Sequence, residues 1–97
     1  MFQQGRHNSG KLIALRSAAN GLPLTRHAFA VSKRVGNAVV RNRVRRRLRE
    51  ILRSQPILEG FDIVISVRPE AARSSFNSLQ AELLRLLQRS RLLAGPG

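Results

Sequence analysis

Apolar residues recur at steps of three and four along two stretches of the chain, and this spacing predicts two amphipathic helices. The first helix is predicted from Ala38 to Arg53, with an apolar stripe made of Val40, Val44, Leu48, Ile51 and Leu52. The second is predicted from about Ser75 to Leu92, with a stripe made of Phe76, Leu79, Leu83, Leu86 and Leu87. Asn37 is the predicted N-cap of the first helix, and Pro56 stops its continuation.

Three shorter stretches have the pattern of β-strands. Residues 11–18 and 26–33 alternate in part and flank the turn sequence Asn20-Gly21-Leu22-Pro23, so they predict a hairpin. Residues 61–67 are rich in β-branched side chains and are closed by Pro69, so they predict a third strand.

Alternation along these strands assigns one face of the sheet to the two helices. The bulky positions expected on that face are Ile13, Leu15, Phe29, Val31, Ile63, Ile65 and Val67. The positions expected on the other face are small or partly polar, namely Ala14, Arg16, Ala28, Ala30, Ser32, Asp62, Val64 and Ser66. Such a face either meets water or holds an extended strand of nucleic acid, and the pattern leaves both readings open.

Length and composition predict a single domain over residues 1–93 and a disordered tail over 94–97. The chain has no cysteine, which excludes disulfides and thiolate metal sites. Its apolar runs are too short to span a membrane, and no basic start followed by an apolar stretch indicates secretion. The expected compartment is the cytoplasm, and neither a membrane nor a protein partner is predicted.

Charge indicates the class of partner. The 97 residues include 18 Lys plus Arg against 5 Asp plus Glu, for a net charge of +13. A surplus of this size calls for a polyanion, and the candidates are nucleic acid, an anionic membrane surface or an acidic protein. Arginine outnumbers lysine 16 to 2, and its planar fork suits phosphates and base faces, so nucleic acid is favoured.

Arginine is concentrated on the first predicted helix, where it fills seven of the thirteen positions from Arg41 to Arg53. On a helical projection Asn42, Arg46, Arg49 and Arg53 lie opposite the apolar stripe, with Arg45 beside them. Arg43 and Arg47 flank the stripe. A surface made only for solubility is usually mixed in sign, so this helix predicts a nucleic-acid-binding surface.

The approach to this helix, residues 32–37, favours an anion. Gly36 permits a tight backbone path, and the N-terminus of the helix presents N–H groups at the positive end of its dipole. We expect a phosphate there, with Lys33 and Arg34 beside it.

The sequence predicts no catalytic or metal-binding residues in the polypeptide. His7 and His27 are isolated, and five scattered acids form no paired-carboxylate arrangement. Asp62 is expected to have a structural role at a strand end or loop.

Residues 32–50, SKRVGNAVVRNRVRRRLRE, resemble the signature of the bacterial ribonuclease P protein subunit, whose Arg-Asn-Arg core corresponds to Arg41-Asn42-Arg43. Residues 60–64, GFDIV, resemble that family's strand entry, and the leucine-striped second helix matches its terminal helix. The resemblance implies an α+β fold: a two-layer α/β sandwich with a mainly antiparallel sheet and a left-handed βαβ crossover through the arginine helix, contrary to the usual right hand.

The resemblance also implies an accessory subunit of an RNA-catalysed endoribonuclease, a hydrolase that matures the 5′ end of tRNA. Its partners would be the catalytic RNA and the 5′ leader of precursor tRNA. Mg²⁺ would act at the RNA active site, and the protein alone would bind no cofactor. RNA contacts are implied for Lys33, Arg34, Asn37, Arg41, Asn42, Arg43, Arg45, Arg46 and Arg49, and Arg53 continues the same helical face.

The leader would lie in a cleft on the open sheet face, for which the candidates are Phe2, Arg16, Ala30 and Ser32. Family members usually begin with a helix bearing two aromatic residues, of which only Phe2 has a match here. Arg16 aligns where the family often has a further aromatic. We therefore expect this chain to hold the leader less by stacking and more by charge.

Two other functions are compatible with the same residues. A ribosomal or general nucleic-acid-binding protein with no role in tRNA processing would also use an arginine helix. A small nuclease acting without RNA would instead need catalytic groups that the sequence does not indicate.

Overall fold

The computed structural model describes residues 5–94. In this range the chain forms four strands and two helices, with short 3₁₀ turns at Lys33–Val35 and Pro69–Arg73. The elements are, in order, β1 (Arg6–Ser9), β2 (Ile13–Ala19), β3 (Arg26–Ala30), α1 (Ala38–Arg53), β4 (Phe61–Val67) and α2 (Phe76–Arg89). The first predicted helix and the third predicted strand have the bounds that the sequence indicates.

The four strands form one sheet in the order β1-β2-β4-β3. The β1–β2 and β2–β4 pairs are antiparallel, whereas β3 and β4 are parallel. The chain runs from β3 through α1 to β4, so α1 is the crossover helix of this parallel pair. The predicted α+β architecture with a mainly antiparallel sheet is confirmed.

The predicted hairpin is wrong, because β4 lies between the two strands that it was to join. β4 pairs with β2 over seven residues and with β3 over five, so the central position satisfies both of its edges. The turn sequence crosses the beginning of β4 instead of closing a tight hairpin. The Asn20 N–H donates to the Gly60 carbonyl at 2.9 Å, and the Asn20 amide donates to Leu24 O and Asp62 Oδ1. β1 was not predicted, since its sequence RHNS has no apolar alternation.

Both helices pack on one face of the sheet, as the alternation predicts. The buried residues that α1 contributes are Val44, Leu48, Ile51 and Leu52, and those from α2 are Leu79, Leu83, Leu86 and Leu87. They join one core with Ile13, Leu15, Val31, Ile63, Ile65 and Val67 of the sheet side. No helix within residues 5–94 is long and apolar enough to cross a membrane.

The second helix ends three residues before the predicted Leu92. Arg91 takes a left-handed conformation with φ of 56°. The N–H groups of Arg91 and Leu92 then donate to the carbonyls of Gln88 and Leu87, both at 3.0 Å. This left-handed cap turns the chain and buries Leu92 in the core. Ala94, assigned from sequence to the tail, donates its N–H to Pro56 O at 2.7 Å, and residues 95–97 lie outside the described range.

A buried carboxylate fixes the connection between β1 and β2. Glu82 of α2 is only 8% exposed and accepts hydrogen bonds from the N–H groups of Lys11, Leu12 and Ile13 at 2.8–3.2 Å. A Cβ at Gly10 would lie 2.5 Å from the Glu82 carboxyl carbon, so only glycine allows this close approach. The carboxylate thus ties α2 to the edge hairpin.

We expect Glu82→Ala to lower the free energy of unfolding by about 2–4 kcal/mol, because buried N–H groups lose a charged acceptor. Glu82→Gln retains one acceptor oxygen and is expected to lose less. Urea unfolding followed by circular dichroism measures both, with the exposed Gln88→Ala as control. An alanine variant as stable as the control would contradict this role for Glu82.

Candidate nucleic-acid interface

The approach to α1 is held by two side-chain caps. The Asn37 side chain accepts from the Val40 N–H at 3.0 Å, which confirms it as the N-cap. Ser32 Oγ accepts from the Arg34 N–H at 3.3 Å. A Cβ at Gly36 would lie 2.9 Å from the side chain of Val40, so this position requires glycine. Lys33 and Arg34 are exposed on the turn so formed, beside the beginning of the helix.

The face of α1 opposite the core is exposed as predicted. We call it the arginine face and define it by Asn42, Arg45, Arg46, Arg49 and Arg53. Four of these residues are exposed, and Arg45 is half-buried and donates to Asn42 Oδ1 at 3.2 Å. The Arg49 guanidinium lies 5.8 Å from the ring centroid of Phe29 on β3. The structure therefore brings these cations together on one continuous surface.

Two other arginines of α1 contact the protein itself. Arg43 Nη2 donates to the Ala72 carbonyl at 3.1 Å, and Arg47 Nη1 donates to the Ser74 carbonyl at 3.3 Å. Both side chains are half-buried and hold α1 to the segment that precedes α2. The sequence placed them beside the apolar stripe but did not predict these bonds. Arg41, also half-buried, belongs to the same helix.

The open face of the sheet brings together the described leader candidates. Arg16 pairs across the sheet with His7 and Val64. These three residues line a concavity of about 680 Å³, together with Ser66 and Asp62.

A second concavity of about 500 Å³ is lined by Ser32, Arg34 and Ser66 among others, and Ala30 pairs with Ser66. Because Ser66 borders both concavities, they form one surface, which we call the sheet groove. Phe2 lies outside the described residues. His7, which appeared isolated in the sequence, joins this surface because of the unpredicted strand β1.

Asp62 has a structural role, as the sequence predicted. Its carboxylate accepts from Arg26 Nε and Nη2 at 2.9 and 2.8 Å and from Asn20 Nδ2 at 3.0 Å. The hydrogen bonds from Arg26, then that from Asn20, hold the pKa of Asp62 below its ordinary value. The ion pair thus fastens β3 and the loop after β2 to the beginning of β4.

Groups of three or more histidine, aspartate or glutamate side chains able to hold a metal ion do not occur within residues 5–94. The described site consists of guanidinium groups, backbone caps and a shallow groove, a combination suited to anions and base faces.

Fold and site together define a class: a small, basic, two-layer α+β protein whose parallel crossover helix carries a row of exposed arginines. Residues 1–91 match the family model described as Ribonuclease P. The chain therefore belongs to the ribonuclease P protein family.

The alignments with similar proteins cover most of this chain and most of each relative. The chain is 37% identical over 95 residues to the ribonuclease P protein component of Natranaerobius thermophilus, covering 96% of this chain and 83% of that relative. It is 42% identical over 96 residues to the component of Roseiflexus castenholzii, covering 96% and 79%. The RNase P protein structure from Thermotoga maritima superimposes with a TM-score of 0.81 at 30% identity, covering 97% of this chain and 88% of that one.

We expect the Asp62 ion pair to contribute a pH-dependent part of the stability. Because its pKa is lowered on folding, the contribution is present above the ordinary aspartate pKa and is lost as pH falls through the lowered value. Urea midpoints measured from neutral pH down to pH 2 test this. Asp62→Asn is expected to lose stability at neutral pH and to approach the parent protein in acid, whereas the exposed Glu70→Gln is the control. A constant difference between parent and Asp62→Asn at all pH values would contradict it.

Proposed function

We propose that this chain is the protein subunit of ribonuclease P, which binds the catalytic RNA and the 5′ leader of precursor tRNA to promote 5′ maturation of tRNA. The observation that carries the proposal is the arginine face, presented by the crossover helix of a chain that belongs to this family. The compartment proposed is the cytoplasm, where a bacterial cell transcribes its tRNA.

The catalytic RNA is assigned to the arginine face and to the approach to α1. Arg46, Arg49 and Arg53 are exposed along the helix, and Lys33 and Arg34 extend the positive surface past its N-terminus. Guanidinium groups bind phosphates as planar forks, so a folded RNA with closely spaced phosphates fits this row. The predicted contacts at Asn37, Arg41, Asn42, Arg43 and Arg45 belong to the same proposal.

The 5′ leader is assigned to the sheet groove. The groove is shallow, and its lining combines small side chains such as Ala14, Ser32 and Ser66 with longer charged ones, so an extended strand can approach the sheet between them. Arg16 and Arg34 supply positive charge towards its two ends, and His7 adds a ring. Arg16, Ala30 and Ser32 are the described residues proposed to contact the leader.

The chemistry is assigned to the RNA and its Mg²⁺. The part proposed for the polypeptide is electrostatic: it neutralises phosphates, favours the folded RNA and strengthens substrate binding. Reconstitution with the cognate catalytic RNA at low Mg²⁺ tests this, and the protein is expected to increase cleavage of precursor tRNA. Unchanged cleavage would overturn the proposed function, and cleavage by protein freed of RNA would indicate a nuclease.

Arg46→Ala is expected to weaken binding of the catalytic RNA. If six to eight arginines contact phosphates, the logarithm of affinity falls with the logarithm of salt concentration at a slope of about −4 to −7. Arg46→Ala is expected to make this slope shallower by about one unit. Filter binding across a salt series measures both quantities. The matched control is Arg89→Ala, which removes an exposed arginine from α2. An equal loss of slope in the two variants would show that binding depends on net charge and not on the arginine face.

Arg16→Ala is expected to weaken binding of precursor tRNA that carries a 5′ leader by about tenfold, the loss of one charge-assisted contact. Binding of tRNA with a mature 5′ end should not change. A series of leader lengths, measured with the assembled protein–RNA complex, tests this with Arg89→Ala again as control. Affinity that is independent of the leader would favour a general nucleic-acid-binding protein.

A further inference from the structure

A second groove lies at the β3 edge of the sheet, between this strand and the second half of α1. Its volume is about 420 Å³, within the range of about 300–1,000 Å³ typical of sites for small molecules. Its walls include His27 of β3, Arg49, Leu52 and Arg53 of α1, and Ile57 and Glu59 from the segment that follows. We call it the edge groove. It is distinct from the sheet groove, because the two have no lining residue in common.

The register of β3 explains why an imidazole stands in this groove. His27 pairs with Ile63 and Phe29 pairs with Ile65, and both isoleucines are buried under the helices. His27 and Phe29 therefore lie on the helix side of the sheet. β3 is an edge strand, so among residues 5–94 no further strand lies beyond it, and His27 is exposed.

The imidazole of His27 stacks on the ring of Phe29. Its ring centroid lies 5.4 Å from that of Phe29, with 30° between the two planes, which is a stacked arrangement. The Arg49 guanidinium lies 5.8 Å from the same phenylalanine ring. A ring stacked on a neighbour in this way has less conformational freedom to lose on binding than an unsupported one.

The chemistry of the walls favours a whole nucleotide over a lone phosphate. Arg49 and Arg53 are exposed cations suited to phosphate oxygens. Glu59 is an exposed carboxylate, which repels phosphate but accepts hydrogen bonds from a base amino group or a ribose 2′-hydroxyl. Leu52 and Ile57 add an apolar surface for a sugar or base. Thr25 also lines the groove, but its hydroxyl already donates to Leu58 O and accepts from the Phe61 N–H.

We propose that the edge groove binds one unpaired nucleotide of the catalytic RNA, with its base stacked on His27 and its flanking phosphates on Arg49 and Arg53. This inference rests on the proposed function, because Arg49 and Arg53 belong to the arginine face. The nucleotide is unpaired because a base inside a helix has no free face to offer to a side chain. The edge groove thus adds recognition of one particular nucleotide to the arginine face, which otherwise binds RNA through charge alone.

Substitution of His27 tests the stack. His27→Ala is expected to weaken binding of the cognate catalytic RNA by about tenfold, as the loss of one base–aromatic stack predicts, and His27→Phe is expected to retain the affinity. The salt slope should stay unchanged in both variants at pH 8, because the contact is stacking and not phosphate neutralisation. Gln88→Ala, an exposed polar residue on α2, is the matched control, and thermal unfolding checks that each variant is folded.

The outcomes separate this inference from the proposed function. If the parent protein does not bind the catalytic RNA, the proposed function fails. If the parent binds and His27→Ala binds equally well, the edge groove does not stack a base. The same conclusion follows if His27→Ala makes the salt slope shallower and His27→Phe also loses affinity.

Crosslinking identifies the occupant directly. With p-benzoylphenylalanine in place of His27, irradiation of the assembled complex is expected to give a crosslink to an unpaired nucleotide of the catalytic RNA. A crosslink confined to a paired region, to precursor tRNA or to a protein would overturn the assignment.

Discussion

The structure depends on the burial of one face of α1. Seven arginines on this helix include four like-charged pairs at i,i+4 spacing, which destabilise an isolated helix by about 0.2–0.5 kcal/mol each. Burial of Val44, Leu48, Ile51 and Leu52 stabilises it by about 1.5–3 kcal/mol per side chain. Burial is therefore several times larger than repulsion, and the core can hold the cations in a fixed row. Packing of these four side chains fixes the rotation of the helix about its axis, and with it the backbone positions from which the arginines project.

The central position of β4 determines where the arginine face and the sheet groove lie. Because β3 and β4 are parallel neighbours, the helix that joins them must cross over the sheet, and it brings the arginine face with it. Both helices then cover the same side. The other side is left open from β1 to β3, and this produces the sheet groove. The Arg26–Asp62 ion pair and the bonds of Asn20 fix the entry to β4 from both neighbouring strands.

The local elements could be predicted from the sequence, whereas the order of the strands could not. The stripe of α1 and the alternation in β4 each occur within one continuous segment, so periodicity finds them without knowledge of the partner. Whether β2 pairs with β3 or with β4 depends on contacts about 50 residues apart, and the turn sequence at 20–23 is compatible with either arrangement. The resemblance supplied the parallel crossover that periodicity alone did not. For the same reason two parts of the surface could not be predicted. The position of His7 beside Arg16 depends on strand β1, and the edge groove depends on β3 being an edge strand.

The angular position of each arginine around α1 determines whether it contacts the protein itself or is exposed. At the margin of the buried stripe, Arg43 and Arg47 donate to the backbone carbonyls of Ala72 and Ser74, which orients the segment before α2. Lysine is not an equal replacement. A planar guanidinium can donate one N–H to a carbonyl while its other N–H groups point in other directions, whereas the lysine ammonium is a compact point charge. Arg43, the last residue of the Arg41-Asn42-Arg43 core, holds the fold with one Nη2 N–H, and the RNA contact proposed for it is left to its remaining Nη donors. Under the proposed function, loss of Arg43 is expected to lower both stability and RNA binding, whereas Arg46 on the exposed face is expected to be removable with little effect on folding.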